Sequence, residues 1–453
     1  MQPIMKNTVK MRWQFISAAN NLKSLSDGTL MKYIVAIALV LSSLTCFAAP
    51  SWLDNTLALQ REIDINAPLN RATFLGTHNS ENSYSYQIPF LRYLDPNQIL
   101  SITEQLDAGI RGLEFDVHWF ITSHLSYDVL LCHGLPNHVG CSPFDRPVTE
   151  GLDELRTWLD GHKQDVVILY FDRGTALDGH EAVLADYLQR YLGDKIYQPT
   201  QINQQSSCTS LPGTISKADV LKAGKQLLII TKDCDASQTA WNNWVFAGIG
   251  NVKSHAFNFI DSSIDEDFTD YPACSQTTTF QDDPDHTIPW RIYEDVTMVS
   301  NFEAPTRRIT AQDEKTMVKC GINWQTFDNL TQADPRLRAA IWSWASGYPQ
   351  TGAGNCAYYT ADQGIKNTDC QNIKSAYACQ DATTLTFQVA TQTPNNSQAG
   401  ESACQTQLGS TWHYAAPING HEMELLRVAL AQTGQTEVWL NYHTSDNAHW
   451  LVN

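Results

Sequence analysis

The chain has 453 residues and a hydrophobic fraction of 43%, enough to bury a full core and long enough for more than one domain. Its formal net charge is −18, and no Lys/Arg-rich block follows the first thirty residues, which excludes a nucleic-acid partner held by a basic patch. The same balance excludes simple electrostatic attraction to anionic lipid, but it leaves open a lipid substrate whose headgroup is read locally.

Met31-Lys32 precedes an apolar run, Tyr33 to Leu44, and then Cys46-Phe47-Ala48-Ala49-Pro50. A basic flank, a short apolar region and small residues at a cleavage position predict a secretory signal cut after Ala48. The run is shorter than the roughly 20 residues a membrane span needs. Residues 1–48 are therefore read as an N-terminal extension and signal, with translation starting at Met31 and the mature protein secreted or periplasmic. Eleven cysteines are present, and removal of Cys46 leaves ten, an even count that predicts disulfides in an exported chain. Their connectivity stays open. Neighbour pairing is the simplest assumption, and it would join Cys132 to Cys141.

The elements then follow in order. Trp52 to Asn66 predicts a short helix and Arg71 to Gly76 a first strand. Ser101-Ile-Thr-Glu104 is a capping box, since each end can satisfy the other's amide, and its helix stops at Gly109. Leu113 to Val117 is the second strand and Tyr127 to Cys132 the third. Thr149 to Gly161 is a helix with Leu152, Leu155 and Leu159 on one face. Val166 to Phe171 is an unbroken apolar strand, as expected when both faces are covered. A helix over Gly179 to Leu192, a shorter one over Lys217 to Ala223 and a fifth strand over Gln226 to Thr231 follow. Ser254 to Phe259, Gly321 to Asp328 and Ala339 to Trp344 are read as strands six to eight, and Asp261 to Arg308 as an irregular insertion. This alternation predicts an α/β fold, a distorted TIM (β/α) barrel over residues 50–345. Residues 346–453, polar and holding four cysteines, predict a small disulfide-stapled C-terminal domain with a helix over Ala416 to Gln432 and a strand over Glu437 to Tyr442.

The predicted strand ends carry the chemistry. The first presents His78 and Asn79, the second Glu114 and Asp116, the third His133 and the fourth Asp172. Barrel active sites sit where strand ends meet, so two imidazoles, three carboxylates and an amide would converge. Glu114 and Asp116 lie between Leu113, Phe115 and Val117, which marks a buried strand, and two unpaired buried carboxylates are costly. A bound cation would settle them, and oxygen-only ligation by Asn79, Glu114, Asp116 and Asp172 favours Ca²⁺ or Mg²⁺ over zinc. Imidazoles with pKa values near neutral suit proton transfer in phosphodiester cleavage. His118, His124 and His138 fall near the same face and are read as loop histidines.

The pieces Gly-Thr-His78-Asn79-Ser, Gln105-Leu-x-x-Gly109-Ile-Arg111-x-Leu-Glu114-x-Asp116, Cys132-His133-Gly134 and Val-Val-Ile-Leu-Tyr-Phe-Asp172 resemble the X region of phosphatidylinositol-specific phospholipases C. The likeness covers residues 70–175 closely, the rest of the barrel loosely and the C-terminal region not at all. It implies cleavage of a phosphodiester lipid at a membrane surface. Asn79, Glu114, Asp116 and Asp172 match the calcium-dependent type, although that type carries Glu where this chain has Asp172. The resemblance implies Ca²⁺ held by those four residues, with Mg²⁺ the weaker alternative. It implies that His78 stabilises the phosphoryl group and His133 acts as general acid, with Lys232 and Arg111 as candidates for substrate binding or, for Arg111, a structural partner of the carboxylates. Cys404 to Tyr442 is weakly similar to part of C-type lectin-like domains, which implies glycan binding there or else a structural cap. A glycerophosphodiesterase or sphingomyelinase D-like hydrolase, and a non-catalytic secreted glycan- or surface-binding protein, remain the competing readings.

Overall fold

The structure, a computed structural model, describes residues 51–172, 176–201, 209–231, 239–247, 260–263, 269–274, 290–297, 308–446 and 449–452. The expected signal segment, the expected sixth strand, Lys232, Cys208 and Cys234 lie outside them. Residues from Trp52 onward form one compact unit built on two sheets.

The first sheet is parallel, in the order β6-β5-β4-β2-β1-β9-β8-β7. Its strands are β1 (Phe74–Thr77), β2 (Gly112–Ile121), β4 (Val167–Asp172), β5 (Leu227–Thr231), β6 (Phe246–Ala247), β7 (Ile260–Ser263), β8 (Trp290–Tyr293) and β9 (Trp324–Phe327). Among the described residues its two edges, β6 and β7, do not pair, so the sheet is a curled half-barrel of the TIM-like kind.

Alternation of side chains along each strand decides what faces where. Leu113, Phe115 and Val117 of β2, Val167, Leu169 and Phe171 of β4, and Leu227 and Ile229 of β5 join one buried cluster. That cluster also takes Leu152, Leu155 and Leu159 from α3 (Val148–Gly161) and Leu184, Leu188 and Leu192 from α4 (Glu181–Leu192). The intervening residues, Ile168, Tyr170, Leu228 and Ile230, pack with Phe74, Phe246 and Trp324 in the barrel interior. The same parity turns Glu114 and Asp116 inward.

Three sequence expectations change. Tyr127 to Cys132 is not a parallel barrel strand. β2 runs on to Ile121, the chain turns with Thr122 N–H donating to Ser126 O at 2.7 Å, and β3 (Tyr127–Leu131) returns antiparallel to β2. Ala339 to Trp344 is not the eighth strand. Asp334 caps the Arg336 amide ahead of Pro335, and this N-cap and N1 pair starts helix α8 (Pro335–Ala339) instead. The stretch read as an irregular insertion contains β8, which pairs with β9 and supplies a site residue.

The second sheet has the order β11-β10-β15-β12-β13, with β14 on β12 and β16 on β15. It comprises β10 (Cys356–Thr360), β11 (Gly364–Thr368), β12 (Lys374–Asp381), β13 (Phe387–Asn395), β14 (Trp412–Tyr414), β15 (Glu437–Thr444) and β16 (Trp450–Val452). Leu59 and Ile63 of α1 (Trp52–Ile63) belong to its core, with Leu426 and Leu430 of α10 (Gly420–Thr433), Trp344 and Trp450. Trp344 is thus a core residue of the C-terminal layer. At the start of α10, His421 Nδ1 lies 3.0 Å from Lys319 O and Glu422 pairs with Arg71, which fixes this layer to the barrel. The described disulfides are Cys132–Cys141, Cys274–Cys320, Cys356–Cys370 and Cys379–Cys404, all between neighbours in the chain.

Gly76 and Gly112 face each other across β1 and β2, and the Trp324 indole lies against both. A Cβ at Gly112 would stand 2.3 Å from the indole nitrogen. We expect Gly112→Ala to cost about 1–3 kcal/mol through overpacking, read as a lower urea midpoint at unchanged slope. An unchanged midpoint would show that the indole can move aside.

Candidate active site

Parallel register places Asp116 of β2 beside Asp172 of β4. Oxygens of Glu114, Asp116 and Asp172 lie within 4.8 Å of one another, so these three sequence-predicted residues come together. Asp116 is buried, and its Oδ1 has no hydrogen-bond partner. Burial, followed by the charges of Glu81, Asp172 and Glu114, holds its carboxyl well above the carboxylate range. Glu81, absent from the sequence reading, is fully buried with neither oxygen in a well-formed hydrogen bond. Burial and the charge of Glu114 raise its pKa as well. Arg291 of β8 is the buried cation here. It pairs with Glu114, donates from Nε to Thr326 Oγ1 at 3.2 Å and lies over the ring of Tyr293.

His78 ends β1 in the buried mouth. Its Nδ1 is 3.3 Å from Asp328 Oδ1 and 3.4 Å from the Asn97 amide nitrogen. Burial lowers its pKa, but Glu114 and Asp328 outweigh burial and bring it to about 9. Asp328 is itself held by Asn97 Nδ2 at 3.1 Å and by the Val296 amide at 2.8 Å. Asn79, with φ +45°, donates from Nδ2 to Asn97 Oδ1 at 3.1 Å. Asn82 Nδ2 donates to the same oxygen at 2.8 Å and lies 3.2 Å from His133 Nδ1. The same nitrogen donates to Asp95 O at 3.0 Å, so its two hydrogens go to Asn97 and Asp95, and His133 Nδ1 packs against it. Asn97 also donates to Asp328, so these amides reach from His133 to the Asp328–His78 pair. Burial, then the charge of His78, lowers the His133 pKa.

The loop geometry delivers these groups. Gln98 Nε2 donates to His78 O and Phe327 O, both at 2.7 Å, tying the 84–99 loop to the ends of β1 and β9. The β2–β3 hairpin brings His133 back, since Cys132 N–H donates to Asp116 O at 3.0 Å. His118, on the inward face of β2, is buried, and burial and then His138 lower its pKa to about 4.

Arg111 does not reach this mouth. It precedes β2, donates from Nε to Asp165 Oδ1 at 2.8 Å and from Nη1 to the Leu106 and Ile110 carbonyls, and lies over Trp158. Five residues separate it from Asp116 along a strand rising about 3.3 Å per residue, so it is a structural arginine at the opposite end of the barrel. Asp328, Arg291, Glu81, Asn82 and Asn97 were not legible as site residues. Only Asp328 carried the signal used for the others, a carboxylate directly after an apolar strand.

A family model described as the Rv2075c PI-PLC-like domain matches residues 40–334, well over half of the chain. The chain belongs to that family. Its barrel is a PI-PLC-like domain, the scaffold of a phosphodiesterase of the phospholipase C type. The uncharacterized protein Rv2075c of Mycobacterium tuberculosis is 30% identical over 354 residues, covering 73% of this chain and 69% of its own. The PI-PLC X domain-containing protein 1 of Arthroderma benhamiae is 31% identical over 156 residues, covering 34% of this chain and 45% of its own. Among solved structures, a mutant phosphatidylinositol-specific phospholipase C from Staphylococcus aureus aligns at 12% identity with a TM-score of 0.40, over 63% of this chain and 98% of its own. A calcium-dependent phosphoinositol-specific phospholipase C from Pseudomonas sp. aligns at 12% identity and 0.37, over 59% of this chain and 94% of its own. At scores of this size the architecture rests on the chain's own strand order.

The Asp328–His78 pair predicts a titration. In chelator, His78 should stay protonated to about pH 9 in a histidine NMR titration, and Asp328→Asn should bring its pKa down. Because the folded value lies above the ordinary 6.5, the pair's contribution to stability is complete below pH 6.5 and is lost as pH rises through about 9. A wild-type His78 that titrates near 6.5 in chelator would contradict the pairing.

Proposed function

We propose that this protein cleaves the phosphodiester of phosphatidylinositol or a closely related lipid at a membrane surface, with a Ca²⁺ ion held by Asn79, Glu114, Asp116 and Asp172. The observation that carries this reading is the convergence of three carboxylates beside two imidazoles whose pKa values are pushed apart. The donor set fits a hard divalent cation. Arg291 pairs with Glu114, whereas Asp116 Oδ1 and both Glu81 oxygens are buried without a well-formed hydrogen bond. Ca²⁺ accepts six to eight oxygens in irregular geometry, which suits ligands from separate strands. When bound, such an ion offsets charge on phosphoryl oxygens and lowers the pKa of a hydroxyl it ligates.

The chain's own residues supply the rest. Protonated His78 donates from Nδ1 to Asp328, which leaves Nε2 to donate to a phosphoryl oxygen as charge builds there. His133, whose Nδ1 side lies against Asn82, protonates the leaving oxygen from Nε2 in its charged form. A lowered pKa makes that form a stronger but scarcer acid.

The surface around the mouth supports a lipid substrate. Phe90, Leu91 and Leu94 on one loop and Leu135, Val139 and Phe144 on the next are exposed, Phe90 to 91%. The two loops are clasped, Arg92 donating to Phe144 O and Ser142 to Leu91 O. Apolar insertion rather than charge would hold this acidic protein on a bilayer. We further propose export by the N-terminal signal, a reading supported by the disulfides. The C-terminal sheet carries a cleft of about 560 Å³ where Asn355, Ser397, Glu401, Asn441 and His443 sit among Tyr414, Leu440 and Tyr442, a mix of polar, aliphatic and aromatic side chains that favours a glycan there as a second ligand.

A lipid panel assayed with Ca²⁺ and with chelator tests the central reading. Inositol phosphate should be released only with the cation. Phosphocholine, ceramide phosphate or glycerol phosphate as product would move the protein to another phosphodiesterase class. His133→Ala should lower kcat by about 10²–10⁴, and an undiminished biological effect in that variant would favour a binding protein. With His133 as the acid, kcat/KM should fall as pH rises through a value below 6.5. A rise over that range would make His133 the base. Phe90→Ser with Leu94→Ser should depress hydrolysis of vesicles while sparing a soluble substrate.

A further inference from the structure

His118 Nδ1 and His138 Nδ1 face each other at 3.0 Å, and His138 Nε2 lies 3.1 Å from Asp178 Oδ2. An ionised carboxylate only accepts, so His138 carries its hydrogen on Nε2. Neutral His138 thus points a bare lone pair at the nitrogen of His118. A hydrogen on His118 Nδ1 would fill that space. Without it, two imidazole lone pairs face each other across 3.0 Å.

Two nitrogens on one tetrahedral zinc, each about 2.0–2.1 Å from it, lie roughly 3.3 Å apart. The observed pair needs to open by only a few tenths of an ångström. The remaining geometry is also that of a ligand pair. A metal-binding histidine characteristically donates its other nitrogen to a carboxylate, which sets its tautomer and orientation, and Asp178 occupies that position. His118 is rigid on β2. His138 and Asp178 both adopt left-handed backbone, at φ +64° and +51°, a conformation His and Asp take more readily than most residues. The sulfurs of Cys132 and Cys141 also approach His118, but they are joined to each other and are not thiolates. We propose that His118 and His138, with Asp178 as the orienting carboxylate, form a second metal site that takes a zinc-class ion, water completing its coordination. Imidazole ligation selects such ions over the hard cations suited to the acidic cluster. His138 lies in the disulfide-closed loop that also carries His133, so the ion would tie this loop to β2. The inference does not depend on the phosphodiesterase reading.

The test is calorimetric titration of the full-length, disulfide-intact protein with Zn²⁺ in saturating Ca²⁺. One zinc ion per chain should bind in the wild type and in Asp116→Asn. His138→Ala should abolish that binding, and Asp178→Asn, an exposed change that leaves both ligands in place, should weaken it about 10–100-fold. Co²⁺ should give d–d absorption bands in the wild type that are absent in His138→Ala. No zinc uptake, uptake that persists in His138→Ala, or uptake lost in Asp116→Asn would each overturn the proposal.

Discussion

Three carboxylates withdrawn from water, Glu81, Glu114 and Asp116, with the exposed Asp172 beside them, are the constraint from which the rest of this barrel follows. Glu114, Asp116 and Asp172 share a face because parallel strands in register put alternate residues side by side, and Glu81 enters from the turn after His78. Carboxylates at such spacing cannot all ionise without added positive charge. Arg291 provides one charge, held in place by Thr326 and by the rings of Tyr170, Tyr293 and Trp324. His78 provides a second, kept protonated by Glu114 and Asp328. The deficit that remains is the physical argument for a divalent ion.

That arrangement needs rigid support, and the loops provide it through amides rather than further charges. Asn97 sits at the centre, accepting from Asn79 and Asn82 and donating to Asp328. Neutral donors and acceptors can be fully satisfied in a buried site without adding to its charge imbalance. The same loop carries the apolar side chains at its tip, so one segment both orients the histidines and faces outward. The β2–β3 hairpin has a comparable double role, returning His133 to the mouth and placing His138 against His118.

The C-terminal sheet is joined to the barrel at two places. Helix α1 lends Leu59 and Ile63 to that sheet's core before the chain enters β1, and α10 meets the barrel through Arg71 and Lys319. A chain cut near residue 345 would strip α1 of the core it helps to fill.

Local pattern alone determined the helix capped by Ser101 and Glu104, the apolar runs of β4 and β5 and the residues at their ends, because capping chemistry and side-chain alternation are properties of a few consecutive residues. His78, Asn79, Glu114, Asp116, His133 and Asp172 were legible for that reason, as was the family resemblance. Tertiary structure decided what depends on partners far apart in the chain. Arg111 looked like a site residue until Asp165 and Trp158 closed around it, and Arg291 looked like part of an insertion until β8 paired with β9. The direction of β3, the pairing of Asp328 with His78 and the meeting of His118 with His138 depend on how strands and loops return through space, and no short window of sequence encodes that.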